Sequence, residues 1–395
     1  MGQTMRVAAI AKELQRRGHE VKFLAGGKLI PIIRGFGLEV RETAALPPMV
    51  HAFSAAGDLS PAEQEEISAK RRAALAKIRE IEAEAIADEQ PDVLICGTMT
   101  GPEAAERSGT PAAMVMLQPH GAKTIAMFSR LLTQDPEIQR TALASVAAAK
   151  LIFVEGMAEI GGEGEFPVPD MPGFDLSAAK EKIRFTGPLL IEPPDRLPSR
   201  EGLKQRHIGN SSRPMVYVTI GGGSDLIGKA FLKLVLAALA MLPDVTGVVA
   251  AGVAIPPDEI AALCPPPNAI IHGFAPGTEM IKASDATVFH GGSSTLMTCL
   301  ACGTPAAVVP SMAEQEDNGA VLARHGAGIV LGKETLTANR LAEAIRRLLN
   351  DPAYRQNAAR LKALGDRYGG AAAAAQAIEQ LAANISKKRC PPCRP

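Results

Sequence analysis

The 395-residue sequence has no tryptophan, and aromatic residues make up only 4% of it. A stacking platform for single-stranded nucleic acid depends on such rings, so this composition speaks against one. Net charge is missing too. The 42 Lys and Arg are matched by 42 Asp and Glu, which leaves no basic footprint for a nucleic-acid partner. Uninterrupted apolar runs stop short of the roughly 18 residues of a membrane span; LVLAALAML (234–242) is bounded by Lys233 and Asp244. The opening residues do not read as a charged-then-apolar leader. Six cysteines are too few and too scattered for a secreted disulfide scaffold. D-x-D does not occur, so no carboxylate-held metal is expected. These absences converge on a cytoplasmic α/β enzyme without a metal cofactor.

Two cysteine pairs have C-x-x-C spacing. Cys299 and Cys302 fall in an apolar stretch with helical spacing, where they share a core-facing side. Cys390 and Cys393 sit in the basic, proline-rich KKRCPPCRP with no second pair to complete a zinc site, and are read as a frayed, disordered tail over 388–395.

What is present is a rhythm. Short β-rich runs alternate with helical patterns, which predicts parallel sheets with helices on their faces. In the first half the strands are expected at 20–25, 92–97, 112–117, 150–155 and 182–187, with a long helix after Ser60-Pro61, an N-cap followed by a first-turn proline. Residues 191–213 break the rhythm with prolines, charge and small polar residues, and read as a linker. Strands resume at 215–220, 246–251, 269–274, 286–291, 305–310 and 326–331. The fold class is therefore α/β: two Rossmann-like domains, 1–190 and 214–368, facing each other across a cleft, with a helix over 369–387 placed to pack back on the first. The segment MGQTMRVAAIAKELQRRGHEV opens with a glycine loop and an amphipathic helix, half of a βαβ unit. The strand expected before Gly2 is not in the sequence: either the true start lies upstream, or the first sheet lacks a central strand.

VFHGGSSTLMTCLACGTP (288–305) hands a strand over to a helix through a histidine, two glycines and three hydroxyl residues. In open parallel sheets, ligands bind beyond the carboxyl ends of the strands. Gly291 and Gly292 would let backbone amides approach an anion, and the next helix presents unpaired N–H groups and its positive end. Ser293, Ser294, Thr295 and the His290 ring add donors, a set suited to a diphosphate. An ordinary strand-to-helix turn with a serine cap has the same composition. Three more segments end strands in the same half. VTIGGGSD holds Gly222, Gly223 and Ser224; HGFAPGTEM offers Phe274 and the Ala275 backbone to a flat base, unless Phe274 is core; VVPSMAEQEDNGA puts Glu314 and Gln315 where they either bracket sugar hydroxyls or form a solvated helix start. Among the other histidines, His19 belongs to a helix-to-strand turn and His272 to the sheet interior. His120, in MLQPHG, either faces the cleft or caps a helix.

Residues 273–320 resemble the donor-binding signature of nucleotide-sugar-dependent glycosyltransferases of the two-domain GT-B fold, the group that includes macrolide and lipid-linked-saccharide transferases. The pattern H-G-G-x-x-T, then G-x-P, then P-x-x-x-[DE]-Q-x-x-N is carried here by His290, Gly291, Gly292, Thr295, Gly303, Pro305, Pro310, Glu314, Gln315 and Asn318. The resemblance implies that His290 and the 292–295 turn hold the donor diphosphate with Gly222, Gly223 and Ser224, that Phe274 and Ala275 meet the base, and that Glu314 and Gln315 meet the sugar. It implies UDP as carrier, no metal, and inverting transfer to an acceptor hydroxyl. Two positions depart from the pattern: Gln3 stands where a base histidine is common, and Thr298 where a ribose-binding glutamate is common. His120 is then the substitute base. A nucleotide-sugar hydrolase or epimerase, and a catalytically silent nucleotide-sugar-binding relative, keep the same fold. The apolar pieces LPPMVHAF (46–53) and IAMFSRLL (125–132) fit three roles: lining a site for an apolar acceptor, touching the inner membrane face beside a lipid-linked one, or plain helix packing.

Overall fold

The computed structural model describes residues 2–44, 60–161, 177–219, 229–251, 259–260 and 262–389. LPPMVHAF, the Gly222–Ser224 loop and the Cys390/Cys393 tail lie outside the described residues.

The second half is a parallel sheet of six strands: β7 (Met215–Thr219), β8 (Thr246–Ala250), β9 (Ala269–His272), β10 (Ala286–Phe289), β11 (Ala306–Val308) and β12 (Gly328–Val330), in the order β12-β11-β10-β7-β8-β9. Most of these strands are buried residue after residue, the signature of a sheet covered by helices on both faces. The order reverses between β7 and β10, where Thr219 lies in register with Phe289. At such a reversal the two connecting helices leave on opposite faces and open a crevice at the strands' carboxyl ends. Two apolar layers clamp the sheet, one around Phe289, Leu296 and Met297, the other around Val218, Leu239 and Leu341.

In the first half, β1 (Lys22–Gly26) pairs with β2 (Glu39–Thr43), while β3 (Leu94–Cys96), β4 (Ala112–Leu117), β5 (Leu151–Glu155) and β6 (Ile183–Gly187) form a separate parallel sheet in that order. Between β1 and β3 runs a slot of about 590 Å³ lined by Val7, Leu14, Phe23 and Ile95 among others. The expected interruption of the first sheet thus has a physical location. β2 was not expected. Its one aliphatic residue, Val40, sits among Glu39, Arg41 and Glu42, so it has no apolar run to announce it. The long helix, Pro61–Glu89, begins with a capping box in which Ser60 and Glu63 each accept from the other's backbone amide.

The stretch 191–213 is more than a connector. It contains helix Arg200–Ile208, capped by Ser199, whose Leu203 is fully buried in the core of the second half. The C-terminal helix, Gly370–Arg389, runs two residues further than expected, and its Ala371, Ala374, Ala375 and Ile378 pack on Val7, Ile10 and Leu14 of the first helix, Gly2–Arg16. His19 donates from Nε2 to Glu379 over 2.9 Å, tying the turn after that first helix to the C-terminal one. His272 is exposed at the end of an edge strand rather than enclosed in the sheet. Cys299 is buried in the core and Cys302 packs against it, both as free thiols. None of the described helices is long and apolar enough to cross a membrane.

Candidate functional site

β10 ends at the reversal point, and His290, Gly291 and Gly292 carry the chain into helix Ser293–Cys302. Gly292 is the N-cap residue and no side chain caps this helix, so its first-turn amides are not spent on a serine, as an ordinary capped turn would spend them. Ser293 is buried, Thr295 partly buried and Ser294 exposed.

Each glycine has a packing reason that the sequence did not announce. Gly291 sits at φ +94°, and a Cβ there would stand 2.6 Å from the Gln315 carbonyl oxygen. The turn is packed directly onto the start of helix Ala313–Arg324. At Gly292 a Cβ would fall 2.5 Å from Nε2 of His290, whose ring lies against this residue two positions on. The missing side chains make room for protein, and the helix end is what remains open. The Nδ1 of His290 has no hydrogen-bond partner among the described residues, and burial holds its pKa below the usual range, so the ring is neutral at pH 7.

Helix Ala313–Arg324 joins the two halves. Asn318 donates from Nδ2 to the Gly291 carbonyl at 2.8 Å and to Glu314 Oε1 at 3.3 Å. That fixes its amide orientation, so its Oδ1 accepts from Nδ1–H of His120 at 2.8 Å. Asp317 accepts from the backbone amide and hydroxyl of Thr124 at 2.6 and 2.7 Å. It thereby caps helix Ala122–Gln134 from the other half of the molecule. Lys123 pairs with Glu316 beside them. Gln315 is buried and its side-chain Oε1 accepts from the Ser311 amide and hydroxyl at 2.9 and 3.0 Å, while burial raises the pKa of Glu314.

His120 therefore neither lines an open cleft nor caps a helix. It is 1% exposed inside the joint between the halves. Its Nε2 is the unprotonated nitrogen and has no partner among the described residues. Burial lowers its pKa from 6.5 to about 4. The folded pKa lies below the unfolded one, so the stability it supports is complete above pH 6.5 and declines as pH falls toward 4. The full decline amounts to about 3 kcal/mol. Unfolding free energies between pH 7 and 4 should show this slope, and His120→Gln should flatten it.

Phe274 is 84% exposed, which removes its reading as core, while Ala275 next to it is buried against Met280 and Leu296. Thr298 spends its hydroxyl on the Ser294 carbonyl of its own helix at 2.8 Å. From the first helix, Gln3 donates to the Val115 carbonyl at 2.5 Å, and a Cβ on Gly2 would lie 3.2 Å from Ser294 Oγ. The expected N-terminal glycine loop is instead the first turn of helix Gly2–Arg16, and that helix start faces the turn after β10 directly. Sequence reasoning missed Arg6, Glu155, Thr124 and Asp317. Arg6 lies three residues beyond Gln3 but 287 residues from the serine it touches. Asp317 sits in a polar run, EQEDN, that looks like a solvated helix face. Among the described residues no cluster of three or more His, Cys, Asp or Glu could hold a metal ion.

Comparison with known proteins identifies this architecture as the GT-B glycosyltransferase fold. The glycosyltransferase of kitacinnamycin superposes with a TM-score of 0.70 at 20% identity over 95% of each chain. The glycosyltransferase VinC in complex with DTDP does so with a TM-score of 0.68 at 19% identity over 97% of each. More narrowly, residues 239–367 match the family model described as "Erythromycin biosynthesis protein CIII-like, C-terminal domain". A "PGL/p-HBAD biosynthesis glycosyltransferase" of Mycobacterium tuberculosis is 33% identical over 205 residues, 51% of this chain and 44% of that protein. The match thus spans less than half of that relative's length. An "Uncharacterized glycosyltransferase" of Methanosarcina mazei is 26% identical over 96% of this chain and 95% of its own. The chain thus has the GT-B fold, and the relatives it resembles are named glycosyltransferases.

Proposed function

We propose that this protein transfers a sugar from a nucleoside-diphosphate donor to a hydroxyl of an apolar small-molecule or lipid-linked acceptor, with inversion and without a metal. The observation that carries the reading is the uncapped N-terminus of helix Ser293–Cys302, set at the reversal point of the second sheet with His290 and three hydroxyls around it. Departure of the diphosphate leaves negative charge on its oxygens, and preorganised amides at a helix's positive end stabilise charge that develops there. Gly222, Gly223 and Ser224 follow β7, the neighbour of β10, and are assigned to the same diphosphate. Phe274, standing exposed, offers a ring face to the nucleobase, with the Ala275 backbone beside it. Glu314 and Gln315 are assigned to the sugar hydroxyls.

The base is uracil or its 5-methyl counterpart. The resemblance favours uridine, and a structural neighbour holds DTDP. For the acceptor proton we assign His120: Asn318 holds Nδ1–H and leaves the Nε2 lone pair as the base, which meets an acceptor only when the joint that buries it opens. Partly exposed Met127 and Phe128 on helix Ala122–Gln134 are assigned to the acceptor side.

Purified protein is to be incubated with UDP- and dTDP-sugars, with and without an acceptor panel, and nucleotide release measured. Acceptor-dependent release that persists in EDTA is the expected result. Release without any acceptor favours a hydrolase, and binding without release on the whole panel a silent relative. With His120 as base, kcat/KM should hold down to about pH 4, its folded pKa. An acidic limb near 6.5 points to another group.

A further inference from the structure

The first helix carries a charge that the foregoing reading leaves unused. Arg6 is 4% exposed. Its Nε donates to Glu155 Oε2 at 2.5 Å, its Nη1 to Gln3 at 3.4 Å, and its Nη2 crosses between the halves to the Ser293 hydroxyl at 2.9 Å. Glu155, at the end of β5, is itself held by the Leu189 amide at 3.0 Å, so the guanidinium is anchored from behind. Its field is felt at Glu314 and at His120, which puts one fixed cation among the groups around the turn after β10.

Ser293 is the first residue of the helix whose open end faces the crevice. A hydroxyl that accepts from a guanidinium keeps its own hydrogen for a further acceptor, and the bond it has accepted polarises it. We propose that Arg6 is a positioning residue: clamped by Glu155, it fixes Ser293 so that the serine O–H and the first-turn amides point together at the donor diphosphate. The inference rests on the sugar-donor reading above and adds to it a contribution from the N-terminal half. Arginine suits the role because its planar fork serves Glu155 and Ser293 at once; a lysine is a point charge that satisfies one of them.

The test compares UDP with uridine, which lacks the diphosphate, by calorimetry on the full chain. Arg6→Lys retains a cation for Glu155 and Ser293→Ala leaves the buried pair intact, so each keeps the fold, verified by its thermal midpoint. Each is expected to weaken UDP about tenfold and uridine less than twofold. The double variant should be no weaker than either single one, because one residue acts through the other. Should Arg6→Lys fail to fold, Glu155→Gln loosens the same clamp and is expected to show the same UDP-selective loss. Unchanged UDP affinity, equal losses on UDP and uridine, or losses that multiply in the double variant overturn the role of Arg6. Wild-type protein that binds neither UDP nor dTDP overturns the donor reading itself, a distinct result.

Discussion

His290→Ala is expected to lower nucleotide-sugar turnover by about 10²–10³-fold, the usual effect of removing one preorganised donor from a developing anion. The size follows from position. His290 is the first residue after β10, at the reversal of strand order, and its ring folds over Gly292 at the mouth of the open helix end. Its Nδ1 has no partner among the described residues. This idle nitrogen is the donor that the proposed function gives to a phosphate oxygen. The ring is neutral at pH 7, so its contribution is a hydrogen bond rather than a charge. The fold should survive, because His290 anchors no strand pairing or helix cap, and a thermal midpoint within a few degrees of wild type would confirm that. His290→Gln, which keeps a donor, should recover part of the loss. Near-normal turnover in the alanine variant would remove the diphosphate from this turn.

The second large effect is on stability. Arg6 and Glu155 have side chains only 4% and 3% exposed. Truncating one partner of such a pair leaves the other charged and dry, at a cost of about 3–5 kcal/mol. Glu155→Ala is therefore expected to destabilise the protein by that amount. It strands the guanidinium and takes the acceptor from the Leu189 amide. Urea titrations should show a lower midpoint at unchanged slope. The opposing consideration is that burial raises the Glu155 pKa by more than Arg6 lowers it, so the ionised pair is itself costly to keep. That bears on the net worth of the pair, and the cost of orphaning one member is separate from it. A loss under about 1 kcal/mol would put the pair in the class of surface contacts.

Much of the architecture was legible from apolar runs. β4 falls on the six residues expected for it, Ala112–Leu117, and the other expected strands lie within their runs or overlap them. The reason is that a parallel strand covered on both faces is mostly apolar along its length, and turn residues bound these runs. β2 lacked that mark because it sits at an edge and carries charge. Helix Arg200–Ile208 was hidden by its charged, proline-flanked surroundings, although Leu203 anchors it in a core.

For the site, the sequence by itself determined the turn, because a glycine at positive φ and a histidine, glycine and hydroxyl string at a strand's end are local requirements. Which atoms those requirements serve was decided only in three dimensions. The room left at Gly291 is filled by the Gln315 carbonyl, and that at Gly292 by the His290 ring. The polar residues of EQEDN turned out to face a joint, with Asp317 capping a helix that begins 195 residues earlier in the chain. Arg6 and Ser293 meet for the same reason. Periodicity along a chain reports which faces are buried, but a pairing of buried polar groups depends on how two sheets are set against each other, and no local pattern encodes that.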